Sequence, residues 1–247
     1  MNLTRGSLLN WRPCSGLAIA ALILIAIAMV PASMTAGELR RHEVVCEGFN
    51  MQYVLEAPPS ASHQALPALL LLHGAGDQAE NFIRAWEPLA KKKNLALIAP
   101  QLPRDPKFET AAPKIFRCIL DDVGKQVRLD PHRIYLFGHS MGGYLAYDAA
   151  LLDSGYYAAA AIHAMGIADE YASLVDRATR KLPIAIYIGS NDEMVSLRQV
   201  EKTRDRLKKA GFPVHYSEIP EHGHNYYELS GVINSDVWHF LASHRLP

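Results

Sequence analysis

A glycine-rich turn in the middle of the chain contains a serine that could act as a nucleophile. Residues 138–142 read Gly-His-Ser-Met-Gly, so Ser140 stands between two glycines. The segment Arg133–Phe137 predicts a strand that enters this turn, and Tyr144–Leu152 predicts the helix that follows it. A tight strand-to-helix turn exposes the serine hydroxyl at a helix N-terminus, where backbone N–H groups favour negative charge. We therefore predict that Ser140 is a nucleophile; the alternative is an ordinary glycine-rich turn.

An acid is expected later in the chain, at the end of another strand. A serine hydroxyl is a poor nucleophile without a base, and the base is oriented by a carboxylate. The predicted strand Ile184–Ile188 is followed by Asp192, which is the preferred candidate. Asn191 and Glu193 are alternatives beside it. Asp192 could instead cap a helix or complete a turn.

Two histidines compete for the role of base. His222 and His224 both follow the predicted strand Val214–Ile219. We prefer His224, because Gly223 allows the loop to place its imidazole over the sheet edge. His222 would then be a surface histidine. The pair has no clustered cysteine or acid at a known ligand spacing, so no metal site is predicted.

Backbone donors for an oxyanion should come from two turns. One donor is expected from the residue after the nucleophile, Met141, and the other from a loop after an early strand. The apolar run Leu66–Leu72 ends in such a loop, rich in glycine. We predict Ala75 as the second donor, with Gly76 as the alternative. Donors of this kind lower the barrier by on the order of 3 kcal/mol.

Three residues are possible pocket positions. Gly76 and His139 adjoin the predicted oxyanion donor and the predicted nucleophile. His163 follows the predicted strand Ala158–Ile162 and should reach the same edge of the sheet. It could line the acyl or alcohol pocket, or it could be a hydrogen-bonded histidine of the core.

The remaining pattern is an alternation of short apolar strands with helices. This alternation indicates a mostly parallel sheet with helices on both faces, whose functional loops follow the carboxyl ends of the strands. The further strands are predicted at Glu43–Cys46, Met51–Glu56 and Leu95–Ala99, and the further helices at Asn81–Lys93, Ile115–Val127, Ala172–Arg180, Leu197–Lys209 and Val232–Ser243.

Composition limits the classes of function. The 247 residues include 25 basic and 25 acidic side chains, and 49% of the residues are hydrophobic. The length suits one domain with a targeting segment, and the apolar fraction suffices for a sizeable core. Balanced charge gives no reason to expect a nucleic-acid partner.

The first 36 residues resemble a targeting segment. Arg5 and Arg12 precede the apolar run Gly16–Val30, and small residues follow it. This order is typical of a secretory signal peptide, and the run is short for a membrane span. We expect residues 1–36 to be the signal peptide of an exported protein, periplasmic or secreted, with residues 37–247 as its domain. A retained anchor is the alternative. Cys46 and Cys118 could pair after export or remain thiols.

The order of the motifs resembles that of bacterial α/β-hydrolase esterases. The segments LLLLHGAG, RIYLFGHSMGGYLAYDAAL, IGSNDEMV and EHGHNYYELSGVINSDVWHFL carry the resemblance, over roughly residues 66–245. The nearest group is described as polyhydroxybutyrate-depolymerase-like, feruloyl-esterase-like or dienelactone-hydrolase-like. The resemblance implies the α/β-hydrolase fold, with Ser140 as nucleophile, Asp192 as acid, His224 as base, and Ala75 and Met141 as oxyanion donors.

The expected activity is ester hydrolysis through an acyl-enzyme. A small-molecule ester is the expected partner, and neither a metal nor an organic cofactor is required. The short polar segment Leu102–Pro113 predicts a minimal lid or none. The alternatives are a peptidase or acyl-thioesterase with the same three residues, and a hydrolase fold used only for binding. The oligomeric state is left open.

Overall fold

One eight-stranded sheet organises the part of the chain that the computed structural model describes, residues 39–58 and 64–247. The strand order is β1-β2-β4-β3-β5-β6-β7-β8. Strands β1, β2 and β4 pair antiparallel, and every pair from β4 to β8 is parallel. The strands are β1 Arg40–Cys46, β2 Phe49–Glu56, β3 Leu66–Leu72, β4 Ala96–Pro100, β5 Leu129–His139, β6 Ala159–His163, β7 Ile184–Gly189 and β8 Val214–Ile219.

Strand β3, near the centre of the sheet, is apolar throughout because helices cover both of its faces. Every residue of β3 is buried. Successive side chains of a strand point to opposite faces. Leu70 and Leu72 accordingly pack in the core beneath α2, α3 and α5, whereas Leu69 and Leu71 pack in the core beneath α1 and α6. The helices are α1 Ala79–Lys93, α2 Pro106–Gly124, α3 Met141–Leu152, α4 Leu174–Arg177, α5 Leu197–Lys209 and α6 Ser230–Ala242.

The predicted mostly parallel sheet with helices on both faces is confirmed, and two helix predictions were wrong in extent. Helix α2 begins at Pro106 rather than at Ile115, so the larger part of the predicted polar connection, Leu102–Pro113, is helical. The start is stabilised by the Asp105 side chain, which accepts a hydrogen bond from the Lys107 backbone N–H. The helix predicted at Ala172–Arg180 is reduced to the short α4.

The disulfide question is settled by the structure. Cys46 at the end of β1 is bonded to Cys118 in α2. The predicted signal peptide at residues 1–36 lies outside the described residues and stays a prediction. Within residues 39–58 and 64–247, no helix combines the length and the apolar character needed to cross a bilayer.

Candidate active site

Ser140 occupies the turn between β5 and α3 in a strained conformation. Its φ of 53° and ψ of −121° are uncommon for a residue with a side chain. Its backbone N–H donates to the carbonyl of His163 on the neighbouring strand at 3.0 Å. A Cβ at Gly138 would stand 2.2 Å from the Gly142 carbonyl oxygen, and one at Gly142 would stand 2.0 Å from that of Leu72. Only glycine fits at these two positions, which explains the motif.

A histidine and a carboxylate extend from the Ser140 hydroxyl in one line of hydrogen bonds. The hydroxyl donates to Nε2 of His224 at 2.9 Å. Nδ1 of His224 donates to the Asp192 carboxylate, at 2.9 Å from Oδ2 and 3.1 Å from Oδ1. This arrangement orients the imidazole so that Nε2 can accept a proton from serine, while the carboxylate stabilises the imidazolium that forms.

The carboxylate of Asp192 is held by the loop that follows β7. Its Oδ1 accepts hydrogen bonds from the backbone N–H groups of Met194 and Val195, both at 2.9 Å. The side chain is fully shielded from solvent, in contrast to its exposed neighbours Asn191 and Glu193. The loop thus places Asp192, and neither alternative, against His224.

The loops after β7 and β8 are joined directly to each other. The Asn191 backbone N–H donates to the His222 carbonyl at 2.9 Å, and the Glu221 N–H donates to the Ser190 hydroxyl at 2.9 Å. A Cβ at Gly189 would stand 2.1 Å from the His222 carbonyl oxygen. The predicted site omitted Ser190 and Gly189. Their signal in the sequence is a glycine and a serine placed between a strand and the candidate acid.

The two candidate bases occupy different places. His224 contacts Ser140, and its side chain is 16% exposed. His222 is buried rather than exposed on the surface as predicted; its ring packs 5.5 Å from that of His163, and its Nδ1 lies 3.9 Å from a Glu228 oxygen.

His139 and His163 form a buried pair beneath the site. Their Nδ1 atoms are 3.0 Å apart, and the ring of His139 lies 5.0 Å from that of His224. Burial, together with charge on His224, lowers the pKa of His139 to about 4. Burial also lowers the pKa of His163 far below its ordinary value. Both rings are therefore neutral at pH 7, and one Nδ1 donates to the other.

The predicted pocket residues differ in accessibility. His163 is fully buried, so the pocket prediction for it was wrong and the core alternative holds. The cause is the packing of the rings of His139, His222 and Tyr226 against that of His163. His139 is 8% exposed, beneath His224. Gly76, with a φ of 82°, is exposed at the rim. Sequence reasoning missed Tyr226, whose buried ring stacks on His139.

The loop after β3 passes alongside the nucleophile. A Cβ at Gly74 would lie 3.7 Å from the Cβ of Ser140. This places the next residue, Ala75, beside the turn that contains Met141. Met141 is the first residue of α3, and backbone N–H groups of a first helical turn have no helical carbonyl to bind. Ala75 therefore follows a residue in contact with Ser140, and Met141 follows Ser140 itself.

The described groups support one kind of chemistry. A hydroxyl, an imidazole and a carboxylate in hydrogen-bonding sequence perform acyl transfer without a metal. Among residues 39–58 and 64–247, no set of three histidine, cysteine or acidic side chains is arranged to hold a metal ion.

Sequence comparison finds relatives with related chemistry. A model of the alpha/beta hydrolase family matches residues 69–208, which include Ser140 and Asp192. A bifunctional acetylxylan esterase/xylanase of Neocallimastix patriciarum is 29% identical over 149 residues, which make up 55% of this chain and 20% of that protein. The chain therefore spans about a fifth of that relative's length.

Structural comparison finds the same architecture in known enzymes. A thermostable esterase has a TM-score of 0.67 at 20% identity, over 84% of this chain and 63% of the other. An S-formylglutathione hydrolase of Staphylococcus aureus has a TM-score of 0.68 at 17% identity, over 83% of this chain and 98% of the other. At these identities the likeness concerns the fold.

Proposed function

We propose that this chain, which belongs to the alpha/beta hydrolase family, is a serine esterase that hydrolyses carboxylic esters at Ser140. One observation carries the proposal. The hydroxyl of Ser140, the imidazole of His224 and the carboxylate of Asp192 are connected by hydrogen bonds of 2.9 Å each. These residues come from three separate strand ends, so their meeting is a property of the whole fold.

The proposed reaction proceeds in two steps. Ser140 Oγ attacks the ester carbonyl while His224 Nε2 takes its proton, and Asp192 stabilises the resulting imidazolium. The backbone N–H groups of Ala75 and Met141 bind the tetrahedral oxyanion. His224 then protonates the leaving alcohol, which departs and leaves an acyl-enzyme. Water activated by His224 releases the acid and restores Ser140.

Esters are the preferred substrate class, and thioesters are the second candidate. The similarity to an acetylxylan esterase and to a thermostable esterase supports oxygen esters. The similarity in fold to an S-formylglutathione hydrolase favours thioesters as the second class. Parallel assays on p-nitrophenyl acetate, an acetyl thioester and an acetyl anilide would rank the classes. We expect the oxygen ester to have the largest kcat/KM, and a larger value for the thioester would reverse the order.

The decisive test replaces the nucleophile. We expect Ser140→Ala to lower kcat/KM for p-nitrophenyl acetate by at least about 10⁴-fold and to abolish labelling by a fluorophosphonate probe. The unfolding temperature should stay near that of the wild type. Ser243→Ala, which makes the same change at the exposed end of the chain, is the matched control and should keep full activity. Labelling that persists in Ser140→Ala would contradict the proposal.

We also propose that the protein is exported and that residues 1–36 are removed. The disulfide between Cys46 and Cys118 supports an oxidising compartment, since cytosolic proteins rarely keep such bonds. N-terminal sequencing of the protein from periplasm and medium would test this. We expect a new N-terminus after Ala32 or Ala36. Recovery of the protein in the membrane fraction with residue 1 intact would favour a retained anchor.

A further inference from the structure

An exposed cation, Arg104, stands at the rim of the site, beside the loop that contains Ala75. Nη2 of Arg104 lies 3.4 Å from the position of a Cβ on Gly76. Gly76 adjoins Ala75 and is two residues beyond Gly74, whose Cβ position is 3.7 Å from the Cβ of Ser140. With 3.8 Å between successive Cα atoms, these steps place the guanidinium within about 20 Å of the Ser140 hydroxyl. An ester bonded to Ser140 and extending along this loop would approach the guanidinium.

The backbone that carries Arg104 is tied to the same loop. The Leu102 N–H donates to Nε2 of His73 at 3.1 Å, and the Gln101 side-chain amide donates to the Asp77 carbonyl at 3.3 Å. His73 completes the connection by donating from Nδ1 to the Gly74 carbonyl at 2.8 Å. The connection between β4 and α2 is thereby held against the loop after β3, so the rim position of Arg104 is built into the fold.

The carboxylates nearest in sequence to this rim are already engaged with other groups. The Asp77 carboxylate accepts a hydrogen bond from the hydroxyl of Tyr227. The Asp105 carboxylate accepts from the Lys107 backbone N–H at 2.8 Å and caps α2. Within the described part of the chain, no carboxylate lies within 4 Å of the Arg104 guanidinium. The cation therefore remains available to an anion from outside the protein.

We propose that Arg104 is a specificity-determining residue that binds a carboxylate on the ester substrate, so that the enzyme prefers anionic esters over neutral ones. This inference rests on the proposed function and names its substrate class. A guanidinium binds a carboxylate through two parallel N–H donors, which supplies both charge and orientation. The carboxylate would stand several bonds from the scissile carbonyl, on either the acyl or the alcohol side.

Two pairs of substrates matched in shape test the proposal. Mono-p-nitrophenyl adipate and p-nitrophenyl hexanoate differ in charge on the acyl side, whereas 4-acetoxybenzoate and 4-acetoxybenzamide differ on the alcohol side. The quantity measured is the ratio of kcat/KM for the anionic ester to that for the neutral ester. We expect a ratio above one in at least one pair, and a decrease in that ratio as NaCl is raised, because salt screens exposed charges.

Substitutions assign the preference to one side chain. We expect Arg104→Gln to lower the ratio about tenfold, Arg104→Glu to lower it further, and Arg104→Lys to keep part of it. Arg128→Gln is the matched control, since it removes an exposed arginine at the start of β5, the end of the strand remote from Ser140. It should leave the ratio unchanged. An equal decrease in Arg128→Gln would show that the ratio depends on the total charge of the protein rather than on Arg104, and it would overturn the proposal.

The remaining outcomes separate this inference from the proposed function. If the wild type hydrolyses neutral esters and its Ser140 is labelled by fluorophosphonate, but the ratio is the same in wild type and Arg104→Gln, only the role of Arg104 is overturned. If the wild type hydrolyses no ester and is not labelled, the proposed esterase function fails and this inference fails with it.

Discussion

Two regions of the sheet are stabilised in different ways. The hairpin end, made of β1 and β2, is joined to α2 by the disulfide between Cys46 and Cys118 and by a hydrogen bond from the Tyr53 hydroxyl to Asp122 at 2.7 Å. The carboxyl edge, where β5, β7 and β8 end, contains Ser140 and Glu221 at positive φ and several buried polar side chains. The first region carries links that stabilise the fold, although Glu47 in its turn is also at positive φ, and the second concentrates buried polar groups that oppose folding.

The difference indicates that the hairpin end serves the stability of the fold and the carboxyl edge serves the candidate active site. Strain and buried polar groups persist at a site only where the surrounding structure holds them in place. At the carboxyl edge this is done by close backbone contacts around Ser140 and by the hydrogen bonds between the loops after β7 and β8. Changes at the carboxyl edge should therefore alter activity first, and changes at the hairpin end should alter stability first.

The largest expected effect is on activity at the carboxyl edge. We expect His224→Ala to lower kcat/KM by about 10⁴-fold, because Ser140 loses its proton acceptor. The matched change His222→Ala should lower kcat/KM less than about tenfold while it destabilises the fold, because that side chain is buried. Steady-state kinetics on p-nitrophenyl acetate and urea unfolding measure the two effects. A larger loss of activity in His222→Ala than in His224→Ala would make His222 the base and His224 the structural residue.

A smaller effect in free energy is expected at the hairpin end. The disulfide joins residues separated by 72 positions. Its removal in the double variant Cys46→Ser/Cys118→Ser should lower the free energy of unfolding by about 4 kcal/mol, because the unfolded chain gains conformational entropy. The folded variant should keep the wild-type kcat/KM. Reduction of the wild-type protein is the control and should give the same loss of stability. A loss of activity in the folded variant would contradict the proposal that the hairpin end affects stability and not activity.

The smallest expected effect is a loss of stability in acid caused by His139. Its pKa is about 4 in the folded protein, compared with 6.5 in the ordinary side chain. As pH falls, the unfolded chain therefore binds a proton before the folded chain does. The free energy of unfolding keeps its full value with respect to His139 above pH 6.5 and decreases as pH falls toward 4. The loss is at most on the order of 3 kcal/mol.

Substitution of His139 isolates this contribution. We expect the free energy of unfolding of His139→Asn to fall less than that of the wild type between pH 6.5 and 4, as measured by urea unfolding at a series of pH values. His215→Asn, the same change at an exposed histidine, is the matched control. An identical pH dependence in His139→Asn and wild type would assign the acid sensitivity to other groups.

Local pattern was sufficient for most of the secondary structure. Helix α5 spans the predicted residues, and β3 and β8 do as well. Strand β3 is a continuous apolar run and α5 is a strongly amphipathic helix, and such periodicity is local information. Helix α2 was predicted too short, because its first turns are polar and contain two prolines. A proline in a first turn is compatible with a helix, and the Asp105 cap was the missed signal.

Other features depended on distant parts of the chain. The sequence favoured His224 over His222 but kept His222 as a rival, and in the structure only His224 contacts Ser140, from a loop hydrogen-bonded to Ser190 and Asn191. His163 was equally ambiguous, because its burial depends on the neighbouring strands and on Tyr226. No local rule predicts contacts between loops that lie tens of residues apart.

The sequence by itself determined the strand–turn–helix around Ser140, the parallel sheet and the order of serine, acid and histidine. Each follows from short-range periodicity or from a glycine that the backbone requires. Only the tertiary structure decided which histidine reaches the serine, that Cys46 and Cys118 pair, and that Arg104 stands at the rim beside Gly76. These relations are distances between separate loops, and such distances are set when the strands pair and the helices pack.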